Sequence, residues 1–467
     1  MTEEPMNGQN EMGVSGEVRL ALSRDCCESL RVVPLRSDGR TLFAASAEPL
    51  QLPQFDRLER EWRGPVETVR VSDEWFAAEF PRHLAFVSAV EDAASENEGA
   101  LAELTGLIFS WACGEGASDI HFEPSSGDAR IRFRVDGRLR LVSFIPRRLH
   151  ENLLSRLKLT SGLDIAERRR PQDGRLSVTV GQSAVDVRIS TLPTLWGEKL
   201  TARLLTSAGG LTIGRLGGGE AVGRALRALT SLSSGLVLST GPTGSGKTTT
   251  QYALLKEIDR DSFNVLTVED PIEYRLPGVN QVQINEAAGA TFSSVLKAML
   301  RQDPDVIMVG EIRDPQTAQL ATRAALTGHL VFSTLHTADA ASALWRLIEI
   351  GVPVWLVAAS VKAVVAQRLL RLLCPHCRRQ SASSACWTPV GCPSCGGTGY
   401  RGRTAIFEIL EMDDAVRHLV MGPDGLTEVR RLLARRGVKP LRDQALELAS
   451  QGLVTMEDAL LSTPDGQ

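Results

Sequence analysis

Gly241-Pro242-Thr243-Gly244-Ser245-Gly246-Lys247-Thr248-Thr249 is the stretch whose reading decides the fold. It meets the phosphate-binding pattern G-x-x-x-x-G-K-[ST] at each fixed position. Leu236-Val237-Leu238 leads into it as a buried strand, and Tyr252, Leu255 and Ile258 follow at helical spacing. Strand, glycine-rich turn and helix are the context this motif needs. The glycines let backbone N–H groups curl around phosphate oxygens, and the helix N-terminus adds partial positive charge. Lys247 brings a point charge to the β- and γ-phosphates, and the Thr248 hydroxyl is placed to ligate Mg²⁺. A chance glycine-rich turn would lack one or both flanks. The stretch implies a nucleoside-triphosphate site cradled by residues 241–249.

From about Leu211 onward strands alternate with helices, the signature of an α/β domain. Phe263–Val268 reads as an apolar strand ending in Glu269-Asp270, and Asp305–Val309 as another ending in Gly310-Glu311. Between them Phe292, Val295, Leu296, Met299 and Leu300 form one helical stripe. Thr317–Leu326 is a further helix with Gly328 suited to its C′ position, and His329–Leu335 a further strand. Ligand chemistry in doubly wound sheets collects at the carboxyl ends of strands, where Glu269, Glu311 and His336 fall. Hydrolysis needs a phosphate cradle, a metal, a group that orients water and positive charge for the transition state. Glu311 stands where a Walker-B acid would. Gly310 replaces the usual preceding Asp, so the metal leans on Thr248, on water, or on Glu269 and Asp270. A strand-end carboxylate is otherwise often a helix N-cap, and Asp314 reads as one.

Upstream, Val32–Leu35 and Thr41–Ala44 read as short strands around Ser37-Asp38-Gly39, in a unit with no visible chemistry that suits docking. Glu91–Gly99 is acidic, small and polar, as a linker is. In the next domain, Ile131, Phe133, Val135, Leu139 and Leu141 alternate with arginines 132, 134, 138 and 140 across the Asp136-Gly137 turn, a strong hairpin signal. Leu176–Val180 and Ala184–Ile189, parted by Gly181-Gln182, form a second hairpin. The arginine face is either solvated, turned to nucleotide phosphates, or turned to a neighbouring subunit; periodicity does not decide.

The chain has 467 residues, 43% hydrophobic and 23% charged, with a net charge of −4. That is ordinary for a globular protein of several domains, and no global basicity points to nucleic acid. Met1–Met12 is acidic and polar, unlike a signal peptide. Val352–Ala366 is the most apolar long stretch but is broken by Ser360 and Lys362, so it reads as a core helix rather than a membrane span. A cytoplasmic location is expected, with any membrane contact made through a partner. Cys374-x-x-Cys377 and Cys392-x-x-Cys395, separated by 14 residues, offer four thiolates in two knuckles. In a reducing compartment this suits tetrahedral Zn²⁺ rather than disulfides. Cys386 reads as a spare thiol and His376 as a knuckle residue.

With these residues on the page, the chain resembles the secretion ATPases: the E-type ATPase of type II secretion and the type IV pilus assembly ATPase. Val268-Glu269-Asp270-Pro271-Ile272-Glu273 is similar to their Asp box, Gly310-Glu311-Ile312-Arg313-Asp314 to their Walker-B segment, and Ser333-Thr334-Leu335-His336-Thr337 to their His box. Ala117–Pro124 and Glu167–Arg175 resemble their second N-terminal domain. The tetracysteine motif sets it apart from pilus retraction ATPases. The resemblance implies ATP, Mg²⁺ and Zn²⁺ as cofactors, and a homohexamer whose domain motion drives pseudopilus or pilus assembly. It implies peripheral attachment, through the N-terminal domain, to an inner-membrane platform. It further implies that Arg188 and Arg203 reach the nucleotide, that Glu311 acts on water and that His336 senses the γ-phosphate. Arg188 also fits an outward strand residue. Ala338 and Gln316 depart from the family's usual Asn and Glu without touching these groups, and no clear Arg-Leu-Gly cyclic-dinucleotide motif is present. The fold class expected is α/β: a RecA-like P-loop ATPase domain preceded by an α+β N-terminal domain, with a small zinc module and a helical C-terminus. The segments are residues 1–88, a small docking domain; 89–99, a linker; 100–208, the second N-terminal domain; 211–370, the ATPase core; 371–410, the zinc module; and 411–467, the C-terminal helices. A DNA-uptake motor and a nucleotide-binding scaffold without turnover are the competing readings. The net acidic balance weighs against the first, and intact Lys247, Thr248, Glu269 and Glu311 against the second.

Overall fold

The apolar run before the phosphate-binding stretch folds as a strand buried on both faces, and three other strands of its sheet do the same. The computed structural model describes residues 14–94, 98–205, 211–381, 386–422 and 424–464. It divides into two compact units. The first holds residues up to Thr206 with Cys374–Cys377 and Pro389–Arg401, and the second holds Ser207–Leu373, Arg378–Thr388 and Gly402–Gln467. The expected boundary near residue 208, and Met1–Met12, read as unlike a signal peptide, lie outside the described residues.

In the first unit, α1 (Arg24–Leu30) is capped by the Ser23 side chain and leads to β1 (Val32–Ser37) and β2 (Leu42–Ser46). After α2 (Leu52–Trp62), β3 (Val66–Arg70) completes a three-stranded sheet in the order β1-β2-β3. Helices α3 (Asp73–Ala94) and α4 (Glu98–Gly114) follow, so most of the stretch read as a linker is helix; residues 95–97 lie outside the described residues. The reason is an apolar stripe inside a polar sequence: Ala89, Val90 and Ala93 are buried in the core. A six-stranded sheet comes next, from β4 (Ala117–Pro124), β5 (Asp128–Val135), β6 (Arg138–Pro146), β7 (Gln172–Val180), β8 (Ser183–Thr194) and β9 (Gly197–Leu205), in the order β6-β5-β4-β9-β8-β7. Both hairpins stand where alternation placed them, the first turning at Asp136-Gly137 with both residues at positive φ. Ile120, Phe122, Ile131, Phe133, Val187 and Ile189 pack inward against α4 and α5 (Arg147–Thr160).

The second unit carries a seven-stranded sheet in the order β12-β11-β13-β14-β10-β15-β18. Helix α6 (Gly219–Thr230) precedes β10 (Gly235–Thr240), α7 (Lys247–Glu257), β11 (Val265–Glu269) and β12 (Asn280–Gln283). Then come α8 (Phe292–Met299), β13 (Val306–Val309), α9 (Pro315–Leu326), β14 (Leu330–Leu335), α10 (Ala340–Glu349), α11 (Val354–Ser360) and β15 (Val361–Leu373). Strands β10, β11, β13 and β14 are buried at every position, as parallel strands covered on both sides must be. Alternate residues feed two cores: Leu236, Leu238, Ile307 and Val331 face one, and Val237, Met308, Leu330 and Phe332 the other. The expected core helix over Val352–Ala366 is corrected here. Its first part is α11, but from Val361 the chain runs as β15, parallel to β10. Val361, Val364 and Val365 are β-branched, and a strand buried on both faces needs no alternation, so the run carried no period to read. Two short strands, β16 (Arg379–Gln380) and β17 (Trp387–Thr388), pair antiparallel, and β18 (Tyr400–Glu411) edges the large sheet. Helices α12 (Asp414–Val420), α13 (Gly425–Arg435), α14 (Leu441–Ser450) and α15 (Met456–Ser462) add Val416, Val429, Ala445 and Ala459 to the first of those cores.

One buried ion pair fixes the first unit. Lys158 Nζ meets both Glu198 oxygens at 3.0 and 3.1 Å and donates to the Glu167 carbonyl at 2.6 Å, with both side chains buried. Removing one partner strands a buried charge. Glu198→Ala should cost about 3–5 kcal/mol in denaturant unfolding of the intact chain, and Lys158→Met added to it should recover most of that loss.

Candidate active site and tetracysteine cluster

The phosphate loop forms where β10 runs out of apolar residues. Gly241 has φ 147° and Gly246 φ 89°, both in the region that disfavours a side chain. Gly246 is the N-cap residue of α7, so the loop delivers its last amides to a helix N-terminus. Lys247 lies 8% exposed, its Nζ donating to the carbonyls of Gly241 at 2.7 Å and Pro242 at 3.0 Å. Burial pushes the ammonium down to about 8 against the pull of Glu311. Thr248 is exposed, with its side chain accessible to a ligand.

His336 and Glu311 meet at this lysine. Lys247 Nζ is 3.4 Å from His336 Nδ1, and His336 Nε2 is 3.6 Å from Glu311 Oε2. Burial and the neighbouring Lys247 hold the imidazole below its usual range. The ring is then neutral at pH 7, accepting from Lys247 at Nδ1 and turning its Nε2–H to the carboxylate. Arg313 Nη2 holds the other Glu311 oxygen at 2.6 Å. The loop after β14 is pinned to the phosphate strand by Thr240, whose Oγ1 accepts from Thr337 N at 2.9 Å and lies 2.7 Å from Thr337 Oγ1. Arg368 supports the same loop by donating to the Ala338 carbonyl at 2.7 Å, a contact no motif announced. Asp314 caps α9, as read from its position. Gly310 is also explained: a Cβ there would stand 3.2 Å from the Val268 carbonyl, tight for any larger residue.

Glu269 has a different setting. It is 3% exposed, accepting from Tyr252 Oη at one oxygen and from Thr267 Oγ1 at 2.6 Å and Gln281 Nε2 at 3.1 Å at the other. Burial raises its pKa despite those donors. Tyr252 belongs to α7, so this carboxylate ties the phosphate-loop helix to β11. Sequence reasoning found the acid but not the tyrosine and glutamine that surround it.

Arg188 and Arg203 lie in the first unit, directly opposite one another on β8 and β9. Val187 and Ile189 point into the core, so Arg188 faces the other side of the sheet. Arg175 on β7 faces Arg188, giving three guanidiniums in a row across three strands. Arg203 Nε donates to buried Asp119 Oδ1 at 2.9 Å. Beside this row, Glu123 receives Arg130, Arg132 and Lys199 at 2.7, 2.7 and 2.9 Å. Burial alone would push its carboxyl up, but Arg132 and Lys199 bring it to about 2.

The four cysteines of the two knuckles also belong to the first unit. All four sulfurs lie within 4.8 Å of one another. Cys374 to Cys392 and Cys377 to Cys395 are 3.8 Å, and Cys392 to Cys395 is 3.7 Å. A tetrahedral ion with bonds of about 2.3 Å sets its sulfurs about 3.8 Å apart, so the donor set fits a tetrahedral cation. Amides of Cys392 and Gly399 point at Cys395 Sγ at 3.2 Å, as they would at a thiolate. Burial raises the Cys377 thiol to about 12, and a bound cation would favour its thiolate instead.

The lysine makes a pH prediction. Bound polyphosphate favours the charged ammonium and raises its pKa from the free value of about 8. ADP binding should therefore take up a proton above that pH, and apparent affinity should fall as pH rises through it, by up to about tenfold per unit. Calorimetry of the wild-type chain in buffers of different ionisation enthalpy measures the uptake, which should vanish well below pH 8, where the free lysine is already charged.

The family described as type II/IV secretion system protein matches residues 94–461, and the MshEN domain matches residues 12–84. The chain is 45% identical over 384 residues to type II secretion system protein E of Klebsiella pneumoniae, covering 79% of this chain and 77% of that one. It is 39% identical over 482 residues to the type IV pilus assembly ATPase PilB of Thermus thermophilus, covering 95% of this chain but 54% of that one, so it spans about half the length of that relative. Among solved structures it is similar to the pilus retraction motor PilT with bound ADP, at TM-score 0.54 and 26% identity, covering 77% of this chain and 97% of that one. The ATPase DotB of Legionella pneumophila shares the fold at TM-score 0.59 and 21% identity, covering 76% and 94%. With its phosphate loop, histidine and strand-end glutamate assembled at the carboxyl ends of the central strands β10, β14 and β13, the chain belongs to the type II/IV secretion system protein family and is a P-loop ATP hydrolase of it.

Proposed function

We propose that ATP hydrolysis by this chain powers pseudopilus assembly for type II protein secretion, in a homohexamer whose domains move with the nucleotide state. The observation that carries the reading is the meeting of Lys247, His336 and Glu311 at the phosphate loop. In this reading the amides of Gly241–Thr249 and Lys247 bind the phosphates, and Thr248 holds Mg²⁺, which supplies charge neutralisation when bound. Glu311 orients the attacking water, and His336 sits beside Lys247 where it can report the γ-phosphate. Glu269 supports the metal site through α7 and β11. The four cysteines hold Zn²⁺ as a structural ion, measured as metal content of the purified chain. No helix among the described residues is long and apolar enough to cross a membrane. In this reading the chain acts at the cytoplasmic face, held to an inner-membrane platform through its N-terminal domain.

Type IV pilus assembly is the second reading, favoured by the pilus assembly relative that matches 95% of the chain. A chromosomal Lys247→Ala allele separates the two. Loss of secreted enzymes with surface pili intact supports secretion; loss of pili with secretion intact supports the alternative, and neither loss overturns both.

Arg175, Arg188 and Arg203 stand in register across three strands, an arrangement from which guanidiniums can converge on one phosphate. Arg188 and Arg203 would close on the γ-phosphate and release when it is gone, with Asp119 steadying Arg203. Guanidinium forks suit phosphate oxygens, and a lost transition-state charge is worth about 10²-fold or more. Arg188→Ala and Arg203→Ala should each cut turnover by about that factor with little loss of ATP binding, and Lys at either site should rescue poorly. Wild-type rates in both alanine variants would make them solvated strand residues.

A further inference from the structure

The phosphate loop is braced from a strand that no nucleotide motif includes. β15 runs beside β10 with Ala366 opposite Thr240, so Gln367 comes level with the start of the loop. Gln367 is 1% exposed, and its Nε2 donates to the Ser245 carbonyl at 2.8 Å. Two glycines of the motif record the same closeness. A Cβ at Gly241 would stand 2.6 Å from the Gln367 main-chain oxygen, and one at Gly246 would stand 3.1 Å from Gln367 Nε2. Gln367 therefore abuts the loop at its first glycine, at Ser245, and at the glycine before Lys247.

The bond does more than fill space. In a trans peptide the C=O and the following N–H point in opposite directions. Holding the Ser245 oxygen toward β15 aims the Gly246 N–H away from that strand, and with it sets the peptide that starts α7. Gln367 Oε1 is buried with no hydrogen-bond partner among the described residues. A buried amide kept only for packing would have both ends satisfied. The tie to the loop is the one this side chain keeps.

We propose that Gln367 is a positioning residue for the phosphate loop, presetting the Ser245–Gly246 peptide for the β-phosphate. The inference rests on the reading of residues 241–248 as the phosphate cradle. Gln367→Met keeps the side-chain length and removes the donor. The Kd for ADP and the KM for ATP should both rise about tenfold, the scale of a buried acceptor left unpaired, with kcat at saturation within about threefold. Ser360→Ala removes a buried hydroxyl bonded to the Leu356 carbonyl at 2.7 Å elsewhere in the same core, and should leave both constants unchanged. Equal weakening in the two variants would mean general loosening and would overturn the proposal. So would a wild-type Kd in Gln367→Met while Lys247→Ala, run beside it, loses ADP. ADP binding retained in Lys247→Ala would instead overturn the cradle reading itself. Should Gln367→Met fail to fold, Gln367→Asn keeps the amide but ends about 1.5 Å short of the carbonyl, one C–C bond by ordinary covalent geometry, and is held to the same outcomes.

Discussion

Two threonine hydroxyls set the spacing on which the active site depends. Thr240 ends the strand that feeds the phosphate loop, and Thr337 follows the histidine. Their contact, with the Thr337 amide also donating to Thr240, holds two strand ends at fixed separation. His336 is thereby kept beside Lys247, and Glu311 beside His336. Neither threonine is an acid, a base or a charge. Their role is to bring Lys247, His336 and Glu311 to one place beside the phosphate loop.

The parts of this arrangement that the sequence revealed are those with a local signal. Glycine spacing marked the loop, alternation marked both hairpins, and strand-end acids marked the end of the sheet where the candidate site lies. What stayed hidden depended on partners distant in the chain. Val361–Leu373 looks like any apolar segment until β10 and β18 close on either side of it. Gln367 is an unremarked polar residue in that run until β10 brings it beside Ser245. Glu269 reads as an acid at a strand end, yet Tyr252 and Gln281 reach it from seventeen positions before and twelve after. The helical stretch taken for a linker failed for a smaller reason: its few alanines and one valine are enough when a core waits for them.

The sheet of the first unit shows why a charged face should be read strand by strand. Its arginines are equally regular in sequence, but their surroundings differ. Those around Glu123 are neutralised in place and depress that carboxyl, so they act as internal fasteners. Those at positions 175, 188 and 203 stand next to one another, with Asp119 at one end of the row. One group converges on a single carboxylate, while the other is laid out in register across three strands.

The route of the backbone between the two units has a consequence for how the protein can be divided. The chain passes from one unit to the other at five points, because the cysteine-bearing segments count with the first unit while the residues around them count with the second. No single cut therefore yields two self-sufficient pieces. A fragment ending near residue 205 would lack all four sulfurs, and the complementary fragment would carry them away from the residues they pack with. Insertion, fusion or exchange of either unit as a module in the course of evolution would have to carry three separate stretches of chain at once, which ties the inheritance of the phosphate-loop unit to that of the four cysteines.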